Sequence, residues 1–331
     1  MGMSRAGQWG FSSILGSDAQ FVIEDEKTRL LEQNSTSVID IKPLEITEIP
    51  AIMRKMGWKQ SAKLMERWFN SPAWEMPVAW KNGKEMPQSL YIPEQHCDDQ
   101  TIKMSWALEY PRIKAKVDKL TQTLAYNNSA LELVVKRLKA LGWDGTGGMT
   151  FGRRNIIGKP SMSARELDQT YQNNYLPVGI GLAHRLVDTI DDMYGSLGAL
   201  TLKVALLGTA FRDTDNQVYL DVDYAGVYLR DTFDFINDTG DDQPLGVWTE
   251  DKVLLRADTL VWWTSEKSHE TYYKLKGKRI AEIHNSDFHR YREKNNKGGD
   301  FVIFSDVYWL KQSGRYKLPW DYISSLEIKE K

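Results

Sequence analysis

The sequence predicts an α+β fold, with helices packed on an antiparallel sheet behind a helix-rich N-terminal portion. Three observations carry this. Val218–Leu229 alternates apolar and polar residues, the period of a half-buried strand. Phe301–Leu310 (F-V-I-F-S-D-V-Y-W-L) gives a second strong strand signal. Ala130–Leu141 and Leu182–Leu197 instead repeat apolar residues at the three-to-four spacing of a helix face.

The first 36 residues form a loosely attached leader with one strand at Gln20–Ile23. Ser37–Ile46 alternates as a strand, confined to a sheet edge by Pro43, which cannot donate to a ladder. Ile49–Phe69 predicts a helix pair punctuated by Gly57, with Ile52, Met56, Ala62, Met65 and Phe69 near one face. Trp68, Trp74 and Trp80 follow in a segment where Pro72, Pro77 and Pro87 forbid a long helix. Aromatics at this density more often pack than stack on a ligand. Thr101–Leu108 alternates as a strand, and Pro111 opens a helix that runs to about Tyr126. The helix Ala130–Leu141 ends at Gly142, and a Gly-rich turn, Asp144–Gly148, follows. This divides a Trp-rich N-terminal α+β portion, residues 37–150, from a C-terminal α+β portion, residues 160–331, that carries the antiparallel sheet.

In the C-terminal portion, Ser163 and Glu166 form a capping box for a helix over Ala164–Tyr171. Leu182–Leu197 turns Leu186, Val187, Ile190 and Met193 inward and Asp188, Asp191 and Asp192 outward, and ends at Gly198. Leu200–Phe211 and Val218–Leu229 flank the polar turn 212–217, which predicts a hairpin. Along its second strand the apolar residues pass from even to odd numbers. A one-residue slip turns every later side chain over, so a bulge is expected near Tyr224–Gly226. Short strands at Gly246–Thr249 and Val253–Leu255, an aromatic stretch at Leu260–Thr264 and a lysine-rich loop at 265–279 complete the order.

Composition narrows the function classes. Forty-three Lys and Arg against 45 Asp and Glu give a net charge of −2, which is no nucleic-acid footprint. The single cysteine, Cys97, excludes an intrachain disulfide and a Cys-rich zinc site. No run approaches the ~20 apolar residues of a membrane helix, so no membrane span is expected. Met1–Gly16 lacks the charged-then-apolar layout of a cleaved signal peptide. The nucleophile-elbow, Walker, H-E-x-x-H and dinucleotide motifs are absent, which leaves cofactor and metal unknown.

Candidate chemistry falls in two clusters. Asp231 and Asp234, at the end of the first strand, can share a proton, hold a general base or bind a metal. Equally, they can serve as turn acceptors or pair with Arg230. Asn285–Arg292 carries His289 beside Arg290, and cationic and carboxylate neighbours can tune such a histidine as a proton carrier. The bland reading makes His289 a helix cap. Asp300 follows Gly298 and Gly299, where bare backbone can pass close to a ligand. His184 lies in an amphipathic helix, His269 in a polar loop, and His96 beside Cys97 lacks further metal partners. One cluster ends the first strand and the other precedes the second, so antiparallel pairing puts both at one sheet edge.

Residues 57–77, 191–208, 226–235 and 287–307 resemble a proteobacterial family catalogued only as a domain of unknown function. Its members are often encoded beside type VI secretion components such as PAAR spike proteins. The resemblance implies an antibacterial effector, cytoplasmic in its producer and exported without a cleaved signal to act in a target cell. An immunity protein and the spike are its implied partners. Asp231-Thr232-Phe233-Asp234-Phe235 is also similar to the D-x-Y-D-F signature of colicin M-like toxins, which cleave the lipid-linked peptidoglycan precursor. That second resemblance implies a hydrolase acting on a cell-envelope precursor. Here Phe233 stands where those toxins have Tyr, and the His-Arg pair, His289-Arg290, lies far downstream. The alternatives are a secretion adaptor or a membrane-perturbing effector. The latter would use Leu197–Phe211, which carries Lys203.

Overall fold

The computed structural model describes residues 43–179, 191–237, 240–254 and 277–329. In chain order the first elements are α1 (Ile49–Lys55), α2 (Lys59–Asn70), α3 (Val78–Lys81), β1 (Cys97–Asp98), α4 (Met104–Ala107), α5 (Pro111–Gln122) and α6 (Asn128–Ala140). Next come β2 (Gly148–Phe151), α7 (Ala164–Glu166), β3 (Gln172–Val178), α8 (Asp192–Leu197), β4 (Leu200–Arg212) and β5 (Val218–Phe233). The last are β6 (Pro244–Thr249), β7 (Ile280–His284), α9 (Asn285–Asn295), β8 (Phe301–Phe304), β9 (Tyr308–Lys317) and α10 (Trp320–Lys329). The fold is α+β, as the alternation of strand and helix periods predicts.

The chain forms two compact units. One comprises residues 1–56 and 239–287. Within it β6 and β7 pair antiparallel, from Thr249 opposite Ile280 to Pro244 opposite His284. Among its described residues Val247, Leu254 and Ile280 form one buried apolar cluster. Arg279 grips Glu48 through both terminal nitrogens at 2.9 Å, the fork geometry that suits a carboxylate.

The other unit comprises residues 57–238 and 288–331 and holds a seven-stranded sheet. The path runs β1-β8-β5-β4-β2, with β3 also on β4 and β9 also on β5. Among the described strands of this sheet only the short β1–β8 pair is parallel. The β4–β5 hairpin is the spine. On β5, Val218, Leu220 and Val222 are buried before the slip; after it Ala225, Val227 and Leu229 are buried on the shifted face and Tyr228 on the other, so both faces are covered there. The bulge falls at Asp223, just before the predicted Tyr224–Gly226, because Leu207 pairs with Tyr224 and Gly208 with Val222. A β-carbon at Gly208 would stand 1.9 Å from the Asp221 carbonyl oxygen, so only glycine fits opposite the bulge.

Trp68 of α2 is fully buried, as the packing reading of the tryptophans expects. Its ring meets those of Phe235 at 5.0 Å and Phe288 at 5.3 Å. Phe235 and Phe288 stack at 3.6 Å, so α2, the exit of β5 and α9 share one aromatic core. Each such pair adds about 0.5–1.5 kcal/mol beyond simple burial.

Several expectations are corrected. Thr101–Leu108 is not a strand. The Asp98 carboxylate accepts from Gln100 N, Thr101 N and the Thr101 hydroxyl at 2.8–3.1 Å and folds the chain into a turn. Asp306 then accepts from Met104 N at 2.6 Å and caps α4. Phe301–Leu310 is two strands, β8 and β9, broken where the Ser305 hydroxyl accepts from Leu229 N. Ile46–Glu48 is a 3-10 turn, not a strand end. Beyond the capping box of Ser163 and Glu166, the predicted helix 164–171 becomes a wide π-turn at Leu167–Tyr171.

Asp192 does not face outward. Its carboxylate accepts from Gln60 N at 3.0 Å, Ser61 N at 2.8 Å and the Ser61 hydroxyl at 2.7 Å. It thereby satisfies the free N–H groups at the start of α2, where the helix dipole also favours a negative charge. The leader with its strand Gln20–Ile23, residues 37–42 of the first edge strand, residues 182–190 of the predicted helix, His184, Leu260–Thr264 and His269 lie outside the described residues. Among the described residues no helix is long and apolar enough to cross a membrane.

Candidate functional site

The site is built where β5 ends. Phe233 pairs with Phe301 and Asp231 with Ile303 in antiparallel register. That register carries the end of β5 to the start of β8. The chain then leaves the sheet through Asp234. Its carboxylate is almost wholly buried and pairs with Lys81 Nζ of α3 at 3.0 Å. It also accepts from Ile236 N at 3.2 Å, while Lys81 donates to the Ile236 carbonyl at 3.2 Å. One lysine thus fastens the whole strand exit. Asp234 pairs with Lys81 rather than with Arg230.

His289 comes from α9. Its Nε2 lies 2.8 Å from the Phe235 carbonyl oxygen. A carbonyl only accepts, so Nε2 carries the proton and donates it. Nδ1 stands 3.8 Å from Glu75 Oε2, and the side chain is about one-third exposed, at 31%. Three residues on, and therefore on the same helix face, lies Arg292. Its Nη1 donates to that same Glu75 oxygen at 2.9 Å. Arg290, between them, is exposed. The structure sets it apart from the buried groups that surround His289.

Asp300 is fully buried. Its Oδ1 accepts from Trp68 Nε1 at 2.8 Å and Arg292 Nη2 at 2.5 Å, and its Oδ2 from Met76 N at 2.9 Å. Burial pushes its carboxyl up to about 6, against the pull of Arg292 and the donors from Trp68 and Met76, while Asp234 nearby adds to the rise. Asp300 therefore ties the start of β8 to α2, α9 and the Trp-rich segment. The expectation that Gly298 and Gly299 leave room for a ligand is corrected. A β-carbon on Gly298 would lie 2.4 Å from the Trp68 ring, and one on Gly299 2.5 Å from the Pro72 carbonyl oxygen. The space is already filled by the protein's own packing.

Asp231 is the unusual carboxyl. Its Oδ2 is buried with no hydrogen-bond partner. Burial first, and repulsion from Asp234 next among the raising influences, push its carboxyl well above the ordinary value. The Thr232 N–H, Arg230 and Lys81 pull the other way and do not prevail. Burial thus favours the protonated form, the state a general acid needs.

The structure brings Asp231, Asp234, His289 and Asp300 to one end of the sheet and leaves Arg290 outside. Glu75, Lys81 and Arg292 join them and were not among the sequence candidates. Arg292 carried a usable signal, its i+3 spacing from His289. Glu75 and Lys81 lie in a Pro- and Trp-rich stretch with no period to read. Among the described residues, no group of three or more His, Cys, Asp or Glu side chains converges as metal ligands. His96, weighed as half of a metal pair, stacks on Trp74 at 3.8 Å, and Cys97 is buried.

Chemically, the arrangement offers an imidazole latched at one nitrogen and open at the other, a carboxylate beside the open nitrogen, and a buried carboxyl on the adjoining strand whose ionisation burial disfavours. Neither a curated protein nor a solved structure matches the chain. Residues 44–320, most of the chain, match a family of unknown function (DUF6402), and the protein belongs to that family.

Proposed function

We propose that the protein is an antibacterial effector of the type VI secretion class and that it hydrolyses a cell-envelope precursor. The observation that carries the enzymatic part is the latching of His289 to the Phe235 carbonyl at 2.8 Å, with Nδ1 left facing Glu75. A histidine fixed at Nε2 presents Nδ1 as a general base toward an attacking water. Glu75 is placed to share the proton that arrives there. Asp231 supplies a carboxyl that burial keeps in its acid form. Lys81 with Asp234 and Arg292 with Asp300 hold these groups in register. The resemblance of residues 226–235 and 287–307 to secretion-associated proteins supports the effector part. On this reading the protein rests in its producer's cytoplasm with an immunity protein, leaves on a PAAR spike, and acts in the target cell.

The test is inducible expression in a susceptible bacterium, with and without an added periplasmic signal. Growth arrest in one compartment, relieved by the neighbouring gene's product and lost in His289→Ala, is the expected result. No growth defect in either compartment overturns the toxin reading. Full toxicity of a natively folded His289→Ala protein overturns the site.

A further inference from the structure

Arg230 and Asp231 are adjacent on β5 and so face opposite sides of the sheet. On the Arg230 side lies a second polar cluster that the candidate site does not use. Thr201 stands directly opposite Arg230 and Lys203 opposite Tyr228, so all four share one face. Above them is Asp168, in the π-turn Leu167–Tyr171, a widened turn of a kind frequent at functional sites. Asp168 Oδ1 accepts from Lys203 Nζ at 2.5 Å and from the Tyr228 hydroxyl at 2.9 Å. Its Oδ2 accepts from the Ser89 hydroxyl at 2.5 Å.

The charges do not balance. Among the described residues, Asp168 is the carboxylate bonded to Lys203, and Arg230 acts on it as well as on the buried Asp231 of the other face. Arg137 adds a third cation nearby, itself bound to the Gln169 and Gln172 carbonyls at 2.8 and 3.3 Å. Arg230 is the least satisfied. Its Nη2 meets the sulfur of Met86, a weak acceptor, its guanidinium lies 6.0 Å from the centre of the Phe304 ring, and its Nε is buried with no hydrogen-bond partner. Buried cationic groups are ordinarily paired. Burial pushes the Lys203 ammonium down, Arg230 adds to that, and Asp168 opposes it. Burial would raise Asp168, but Lys203 and Arg230 outweigh it and hold the carboxyl low. Asp168 is fully used, and positive charge is left over.

We propose that this face binds an oxyanion, the phosphate or carboxylate group of a small ligand, between the Arg230 fork, the Lys203 ammonium and the Thr201 hydroxyl. The Met86 sulfur then occupies the place of the stronger acceptor that an arginine fork normally meets. The inference does not rest on the hydrolase reading, since it uses the other face of the strand.

The test uses the full chain and two probes, inorganic phosphate and acetate, titrated at fixed pH and ionic strength by calorimetry and by thermal shift. Saturable binding by at least one probe is expected, and the tighter one identifies the class. Arg230→Gln and Lys203→Met should each weaken that Kd about tenfold or more, the effect of losing one charge-assisted contact. Arg230→Lys, which keeps the charge and loses the fork, should fall between. It also guards against a glutamine variant that fails to fold. Arg315→Gln, which breaks a surface pair with Asp221, should bind as the parent does. Binding of neither probe overturns the proposal. So does binding that Arg230→Lys and Arg230→Gln leave unchanged, which would mark an adventitious ion only.

Discussion

The ring of His289 is latched to the main chain of Phe235, Nε2 to carbonyl oxygen at 2.8 Å, one residue beyond Asp234. A helix-borne imidazole is thereby registered against a strand end rather than left to swing on its own helix.

If that imidazole is the base, His289→Ala should lower activity on the order of 100-fold or more. It should cost only about 1 kcal/mol of stability, the worth of one hydrogen bond. Asp234→Asn should also lower activity, through the loosened Lys81 contact. Growth inhibition read beside melting curves checks both. A folded His289→Ala protein with parental activity refutes the role.

Asp300 predicts a pH dependence. Its native carboxyl lies at about 6, above its ordinary 3.8. A raised native value means that the folded state holds a proton which the unfolded chain has released. The stabilising contribution is therefore full below about pH 4 and is lost as pH rises through about 6. A rise of that size corresponds to about 3 kcal/mol. Urea denaturation at acid and neutral pH, for the parent and Asp300→Asn, isolates it. The stability of the parent relative to the variant should fall across that range, and a constant difference sinks the assignment.

Asp192 caps α2 from a distant segment. Asp192→Ala strands the Gln60 and Ser61 N–H groups and should cost about 1–3 kcal/mol. Chemical denaturation measures it. A loss under about 0.5 kcal/mol, the range of an ordinary surface change, would mean that water replaces the carboxylate freely.

Gly298→Ala tests the packing against Trp68. The residue has φ +99° and its added methyl would meet the indole at 2.4 Å. Backbone strain and overpacking together should cost about 2 kcal/mol or more. An unchanged melting temperature would mean the indole yields.

What the sequence made legible follows from where the information lies. The β4–β5 hairpin and its bulge were readable because alternation and its slip are written along one strand. The approach of Asp234 to His289 followed from strand order alone, without any contact being known. Helix α9 escaped because only Phe288 and Tyr291 interrupt a run of charge, too few for a period. The strand predicted at Thr101–Leu108 failed because two carboxylates, Asp98 and the remote Asp306, bend and cap the chain there. The roles of Asp192, Lys81 and Glu75 depend on partners far away in sequence, and no local pattern encodes them.

Strand β5 is bonded to β4 along one side, and to β9 and then β8 in series along the other. Its amides can exchange with solvent only when the sheet itself opens, so hydrogen exchange should find them among the slowest in the chain. Arg230 and Asp231 ride at its end. These two residues therefore sit on the segment that loosens last, and heating should release their helix-borne neighbours, His289 and Arg292 of α9 and Lys81 of α3, before it displaces the strand that carries them.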